Sequence, residues 1–163
     1  RDVRGRGYAP AGKTPVVHRT GKREHINMIS AITNKGKVFW KMHDKSINGE
    51  LFLEFVKRLV KKSAHKVYLI VDNLRTHRSK ILQAYLKENK DKIELYYLPA
   101  YSPDLNPDEH LNSDIKYGAG SKSPKKTKYE LSKAAETHMR LLNRTPERIV
   151  KYFDDPAIQY AAI

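Results

Sequence analysis

A chain of 163 residues has the length of one ordinary domain, and 39% hydrophobic residues are enough for a core of modest size. Thirty-two Lys and Arg residues against 18 acidic ones give a net charge of +14, which favours a polyanionic partner, most often nucleic acid. The absence of cysteine excludes disulfides and thiolate metal sites, and no apolar run approaches the roughly 20 residues that span a bilayer. Basic proteins without enzymatic activity reach a similar charge, so charge alone leaves the function class open.

Residues 1–24 are predicted to form an irregular basic arm, because glycines and prolines are scattered among basic residues there. The first seven residues contain no apolar stretch and do not resemble a signal peptide. The chain begins at Arg1 without a methionine, so we expect it to be a fragment of a longer protein.

The predicted core covers residues 25–116 and opens with a β-hairpin. Apolar residues alternate from Ile26 to Ile32, a turn follows at Asn34–Gly36, and Val38–Trp40 begins the second strand. Apolar residues then recur at helical spacing, with basic residues between them. This pattern predicts an amphipathic helix from about Gly49 to Lys62.

A strand–helix–strand unit follows the amphipathic helix. Val67–Val71 is continuously apolar, which is typical of a strand that is covered on both faces. The spacing from Ile81 to Leu86 predicts a short helix, and Ile93–Leu98 predicts a second strand. Because the whole unit takes about 30 residues, the two strands should be parallel.

The remainder of the chain is predicted to contain helices and one basic loop. Three prolines stiffen the loop after the second strand, and a helix should run from Pro107 towards Lys116. Residues 117–163 should form a Gly/Ser/Pro/Lys loop from Tyr117 to Lys126, a helix over Tyr129–Leu142 and a short helix after Pro146. Residues 1–163 are thus predicted to form a single domain.

Two acidic residues stand out by their positions relative to the parallel strands. Asp72 ends the first strand, and Glu109 follows the loop after the second. Both positions lie at the carboxyl edge of an open α/β sheet, where sites form. Two facing carboxylates repel, which raises a pKa or recruits a cation, and Mg²⁺ or Mn²⁺ favours such oxygen ligands. The pattern therefore indicates a metal site for phosphodiester chemistry.

A purely structural interpretation of both residues remains open at this point. Asn106, Pro107 and Glu109 also suit the N-cap, the first position and the third position of a helix with a capping box. Asp72 and Asn73 also suit a turn that ends a strand. The residues alone do not distinguish a nuclease from a phosphatase.

Two segments resemble the DDE domain of mariner-superfamily transposases, in particular the bacterial insertion-sequence branch. They are Val71–His77 (VDNLRTH) and Tyr97–Glu109 (YLPAYSPDLNPDE). The resemblance implies an α/β fold of the RNase H-like, retroviral integrase type, with a mixed sheet flanked by helices. It also implies two Mg²⁺ or Mn²⁺ ions held by two aspartates and a third acid. Asp72 matches the second aspartate and Glu109 the third acid.

The first aspartate of the family has no clear match in this chain. Arg6–Pro15 (RGYAPAGKTP) resembles the segment downstream of that aspartate, so the first strand should precede Arg1. Asp2 has no strand-forming residues around it, and Asp44 is also a poor match. We therefore expect the 163-residue chain to be inactive by itself, with an uncovered slot in its sheet where the first strand belongs.

The resemblance also suggests supporting roles for further residues. Asn73 and His77 match family positions near the metals, although His77 suits a helix start equally well, and Asn106 is expected to shape the loop before the helix. The residues expected to bind DNA are Arg75, Arg78, Lys80, Lys116, Lys122, Lys125 and Lys126. The lysines after Tyr117 are equally compatible with a solvated loop.

The function expected from the resemblance is DNA transposition. Water would cleave a phosphodiester at a transposon end, and the freed 3′-hydroxyl would attack target DNA. The expected partners are transposon-end and target DNA and a second copy of the chain, with no membrane, in a bacterial or archaeal cytoplasm at the nucleoid. The alternatives are an RNase H-like nuclease without strand transfer and a non-catalytic DNA-binding relic.

Overall fold

The computed structural model describes residue 8 and residues 10–13, 24–120 and 127–162 of the chain. Most of the predicted basic arm, and the part of the predicted loop that includes Lys122, Lys125 and Lys126, lie outside the described residues. The described elements follow the predicted order: a hairpin, a helix, a strand–helix–strand unit and a C-terminal group of helices. None of the described helices is both long and apolar enough to cross a membrane.

The predicted antiparallel hairpin is confirmed. Strand β1 (Asn27–Ile32) pairs with strand β2 (Val38–His43) along its whole length. The turn requires glycine at Gly36, because φ is 79° there and a Cβ would lie 2.5 Å from the carbonyl oxygen of Pro146. The tip of the hairpin is therefore in close contact with the C-terminal part of the chain.

Helix α1 (Gly49–Lys62) has the predicted bounds. The side chain of Asn48 caps its start by accepting a hydrogen bond from the Leu51 N–H over 2.9 Å. The buried residues of α1 lie at helical spacing and belong to one apolar cluster with residues of the strands.

The predicted strand–helix–strand unit is also confirmed. Strand β3 (Val67–Val71) and strand β4 (Ile93–Tyr97) are parallel, and helix α2 (Lys80–Glu88) connects them. Strand β4 ends one residue earlier than predicted. A short 3₁₀ helix over Arg75–Arg78 precedes α2 and has no apolar periodicity by which it could have been predicted.

The predicted mixed sheet is present only in part among the described residues. The four strands form two separate two-stranded sheets, β1 with β2 and β3 with β4. The unpaired edges of β1 and β3 border the same cavity, whose volume is about 1000 Å³. Within the described part of the chain, each of these two edges carries peptide groups that have no strand partner.

Strand β3 is covered on one face within the described part of the chain, whereas the sequence predicted cover on both. Leu69 and Val71 face the apolar cluster of α1 and α2. Tyr68 and Ile70 point the other way and are 63% and 40% exposed. The difference in burial between the two faces could not be predicted from the continuous apolar run, because both faces of the strand carry large side chains.

Three helices complete the fold: α3 (Asp108–Gly120), α4 (Lys128–Arg144) and α5 (Pro146–Val150). Helices α4 and α5 agree with the prediction. Helix α3 extends four residues beyond Lys116, so residues 117–120 were wrongly predicted as loop. Buried Ala119 continues the apolar stripe of α3 there, and it outweighs the glycines that suggested a loop.

Two apolar clusters lie on opposite faces of the hairpin. Ile29 of β1 belongs to the cluster with α1, α2, β3 and β4. Val38 of β2 belongs to a second cluster with α3, α4 and the C-terminal segment. The start of α3 is therefore held against the hairpin, close to the ends of the parallel strands.

A polar cluster ties α3 to the helices that follow it. The Asp114 carboxylate accepts hydrogen bonds from His138 Nε2 over 2.9 Å, from Arg148 over 2.5 and 2.7 Å, and from the Tyr152 hydroxyl. The side chains of Asp114 and His138 are each 9% exposed. Burial alone would raise the pKa of Asp114, but the hydrogen bonds from Tyr152, Arg148 and His138 together hold it below its usual value.

Candidate active site at the strand ends

Asp72 follows the last residue of β3, and a histidine holds its carboxylate. His77 Nδ1 lies 2.8 Å from Asp72 Oδ1 and 3.1 Å from the Asp72 carbonyl oxygen. The His77 side chain is 13% exposed, and its ring centroid lies 4.2 Å from that of Phe52. With a proton on Nδ1, His77 donates to Asp72 and fixes its orientation. The structure thus places the His77 ring in direct contact with the Asp72 carboxylate.

The loop after β4 leads directly into α3. A 3₁₀ turn over Pro103–Leu105 precedes Asn106, whose side chain accepts a hydrogen bond from the Asp108 N–H over 3.0 Å. Asn106 therefore caps the helix, as the sequence suggested. The N–H of Asn106 donates to the Pro103 carbonyl over 2.9 Å, so it is not available to Glu109. The reciprocal bond of a capping box is absent here, and Glu109 is exposed.

Asp108 is a third acidic residue at this edge, and the sequence analysis did not identify it. Ser30 Oγ on β1 donates to its carboxylate, with distances of 3.0 and 2.9 Å to the two oxygens. Burial raises the pKa of Asp108 to about 6; the bond from Ser30 opposes this shift, whereas the charges of Glu109 and Asp72 add to it. Asp72 and Glu109 are therefore both close enough to act on the Asp108 carboxylate.

A sequence signal for Asp108 existed. Leu111, Ile115 and Ala119 are buried and form the inner stripe of α3. Asp108 precedes Leu111 by three residues and so begins the same stripe. An acidic residue at the first position of an apolar stripe indicates a functional site. The adjacent Glu109 matched the family motif, so Glu109 and not Asp108 was predicted as the site residue.

The cavity between β1 and β3 reaches these acids. Its lining includes Ser30, Asp72, His77, Asn106 and Asp108. Glu109 follows Asp108 on the exposed side of the helix and is not part of the lining. Within the described part of the chain, no three histidine or acidic side chains converge in a geometry for a metal ion. The carboxylate oxygens suit Mg²⁺ or Mn²⁺, but the described ligand set is incomplete.

The basic residues assigned to DNA binding are in part engaged with the protein. Arg78 Nε donates to Asn73 Oδ1 over 2.6 Å, and its guanidinium lies 4.2 Å from the centroid of the Tyr97 ring. Arg75 lines the cavity and is exposed. Lys80 is also exposed. Lys116 is exposed on α3. Of these described residues, Arg75 is thus the one that lines the cavity with the acids and is also exposed.

Known proteins share sequence and fold with this chain. A family model described as DDE superfamily endonuclease matches residues 1–132. The insertion element IS630 uncharacterized 39 kDa protein of Shigella sonnei is 35% identical over 103 residues. That match covers 61% of this chain and 29% of the relative, so the chain spans less than a third of the relative's length in the match.

The crystal structure of the Mos1 mariner paired end complex with Mn is similar to this chain, with a TM-score of 0.59 and 18% sequence identity. The similarity covers 93% of this chain and 50% of that one. At this identity the match concerns the fold alone, which is mixed α/β in both. Because the family model matches most of the sequence, the chain belongs to the DDE superfamily endonucleases.

Proposed function

We propose that this chain is the catalytic domain of a DNA transposase. It would take part in metal-dependent hydrolysis at transposon ends and in strand transfer into target DNA. The observation that carries the proposal is the position of Asp72 at the end of β3, with Asp72 and Glu109 both close enough to Asp108 to act on its carboxylate. Membership in the endonuclease family supports phosphodiester chemistry over other reactions of such a group.

In this proposal Asp72 and Glu109 hold two divalent ions, Mg²⁺ or Mn²⁺. Bound ions of this kind activate water and stabilise the leaving oxygen of a phosphodiester. His77 keeps the Asp72 carboxylate oriented through its 2.8 Å contact. Arg75, which lines the cavity, and exposed Lys80 would bind DNA phosphates without reading sequence. A second copy of the chain at the other transposon end remains part of the proposal.

The first catalytic aspartate is proposed to arrive on a strand that fills the cavity between β1 and β3. Both strands present unpaired edges to that cavity, and residues 28–32 and 68–72 line it over a strand's length. A strand placed there would end beside Asp72 and would complete a single mixed sheet of the RNase H-like type. The uncovered edges support this arrangement, because two such edges in one cavity are a liability if they stay unpaired.

The test of the proposed function is a cleavage assay on transposon-end DNA with the full-length protein and Mg²⁺. We expect Asp72→Asn and Glu109→Gln each to lower cleavage at least about 100-fold, because each removes a charge worth several kcal/mol at a metal site. Asp91→Asn and Glu88→Gln are matched controls, since both residues are exposed and distant in sequence from the site. Full activity in Glu109→Gln would refute its role.

A strand-transfer assay separates the proposal from its first alternative. A transposase joins the cleaved 3′ end to target DNA, whereas an RNase H-like nuclease cleaves without joining. A non-catalytic relic would bind DNA equally well with or without Mg²⁺ and after Asp72→Asn. Binding itself should fall steeply with salt, given the net charge of +14.

A further inference from the structure

Ser30 and Asp108 form a polar contact between two distant parts of the chain. Strand alternation directs Ile29 and Ala31 of β1 to the α1 cluster, while Met28 and Ile32 face the α3 cluster. Ser30 shares the second face, so its hydroxyl is directed towards α3. It reaches both oxygens of Asp108, at 2.9 and 3.0 Å, across 78 positions of sequence.

The macrodipole of α3 favours an acid in the first turn, but it does not require one that is turned onto β1. Asp108 begins the stripe that Leu111 and Ile115 continue as buried residues, and an apolar side chain there would extend the α3 cluster. A buried carboxylate is unfavourable unless several donors satisfy it. Among the described residues, Ser30 is the side chain that donates to Asp108. A single hydroxyl donor thus leaves this carboxylate less well satisfied than an apolar residue would be.

The position of Asp108 within α3 relates the contact to the candidate site. Asp108 lies in the first turn of α3, and Glu109 is the next residue. The loop before α3 is held by Asn106 and by the turn over Pro103–Leu105, and the Tyr160 hydroxyl donates to the Leu105 carbonyl over 2.6 Å. Ser30 adds a long-range contact to the first turn of α3 itself, from a strand that borders the same cavity as Asp72.

We propose that the Ser30–Asp108 pair is a positioning device that anchors the first turn of α3 on β1 and so sets Glu109 relative to Asp72. This inference rests on the proposed function, in which Asp72 and Glu109 hold the metals. Asp108 acts through its hydrogen bond, and any side chain that accepts from Ser30 at the same place preserves the effect. Residues that orient metal ligands typically contribute about 10–100-fold to metal affinity.

The test is Mn²⁺ titration of the full-length protein, with thermal unfolding measured for each variant. Ser30→Ala and Asp108→Ala remove the contact and should weaken Mn²⁺ binding by about 10-fold or more. Asp108→Asn keeps an acceptor and Ser30→Thr keeps a donor, so both should bind Mn²⁺ nearly as well as the wild type. Ser113→Ala, an exposed position on the same helix, is the control for the loss of a hydroxyl.

The possible outcomes distinguish a positioning role from metal binding by Asp108 and from a purely structural contact. Equal losses in Asp108→Asn and Asp108→Ala would show that the charge itself binds metal, which overturns a positioning role. Lower unfolding temperatures with unchanged affinity in Ser30→Ala and Asp108→Ala would show a structural contact only. If the wild type binds Mn²⁺ and Glu109→Gln weakens it, but Ser30→Ala does not, the inference alone fails. A wild type that binds no Mn²⁺ overturns the proposed function and the inference together.

Discussion

Helix α3 carries two acids on its inner side, and their surroundings are opposite. Asp114 accepts four hydrogen bonds from three side chains, and its pKa is lowered. Asp108, in the first turn, accepts from one hydroxyl, and burial raises its pKa to about 6. The packing around Asp114 is also tight: a Cβ on Gly118 would lie 2.2 Å from His138 Cε1. Around Asp108 there is an open cavity.

The difference separates a structural acid from an acid of the site. A carboxylate with several charged and neutral donors is a stable part of the fold, and removing it leaves those donors unpaired. A carboxylate with one donor beside two other acids is poorly satisfied in the folded state. Proteins tolerate such strain at functional sites, so the first turn of α3 is the part to test for function.

The largest expected effect on stability comes from the structural acid. Asp114→Ala leaves His138 and Arg148 without their acceptor and should lower the free energy of unfolding by about 3 kcal/mol. Denaturant titration measures this change, and Asp91→Ala, at an exposed position, should stay within about 0.5 kcal/mol of the wild type. A loss below about 1 kcal/mol for Asp114→Ala would mean that the cluster is not a structural anchor.

Asp108→Asn should raise the free energy of unfolding, in contrast to Asp114→Ala, and the size of this gain should depend on pH. The raised pKa means that the folded state holds the proton of Asp108 more tightly than the unfolded state does. Its contribution to stability is therefore full below pH 4 and is lost as the pH rises through about 6. We expect Asp108→Asn to gain roughly 1–3 kcal/mol on the wild type between pH 4 and pH 8.

Unfolding at pH 4 and pH 8 in EDTA measures that difference without interference from metal ions. A gain that is equal at both pH values would show that the ionisation of Asp108 is not responsible. A loss of stability at pH 8 would contradict the raised pKa and place Asp108 with Asp114 among the structural acids.

The smallest stability effect is expected for Glu109→Gln. Glu109 is exposed and is not the capping-box partner of Asn106, so unfolding should change by less than about 0.5 kcal/mol. Thermal unfolding of the purified variant at pH 7 measures this. A loss of about 1 kcal/mol would instead support a capping role.

Much of the fold was predictable, because local patterns determine it. The alternation of the hairpin, the spacing in α1 and the apolar run of β3 each produced the expected element. Asp72 and Asn106 were found from their positions at a strand end and a helix start. These signals depend on neighbouring residues along the chain, which is why one sequence suffices to recognise them.

The remaining features depend on contacts between distant residues. The Ser30–Asp108 contact spans 78 positions. The gap between β1 and β3 depends on how the β1–β2 hairpin packs beside the parallel β3–β4 pair. No local pattern encodes either. The extension of α3 to Gly120 likewise depends on packing by Ala119, which overrides the weak helix propensity of glycine.

The most direct test of the central claim replaces a carboxylate oxygen of each proposed metal ligand with the softer sulfur of cysteine. In the full-length protein, Asp72→Cys and Glu109→Cys should abolish DNA cleavage with Mg²⁺, which binds thiolates poorly, and should recover part of it with the softer Mn²⁺. Such a recovery requires the side chain to contact the ion. Undiminished cleavage with Mg²⁺, or no recovery with Mn²⁺ in either variant, would contradict the assignment of Asp72 and Glu109 as the residues that hold the metals.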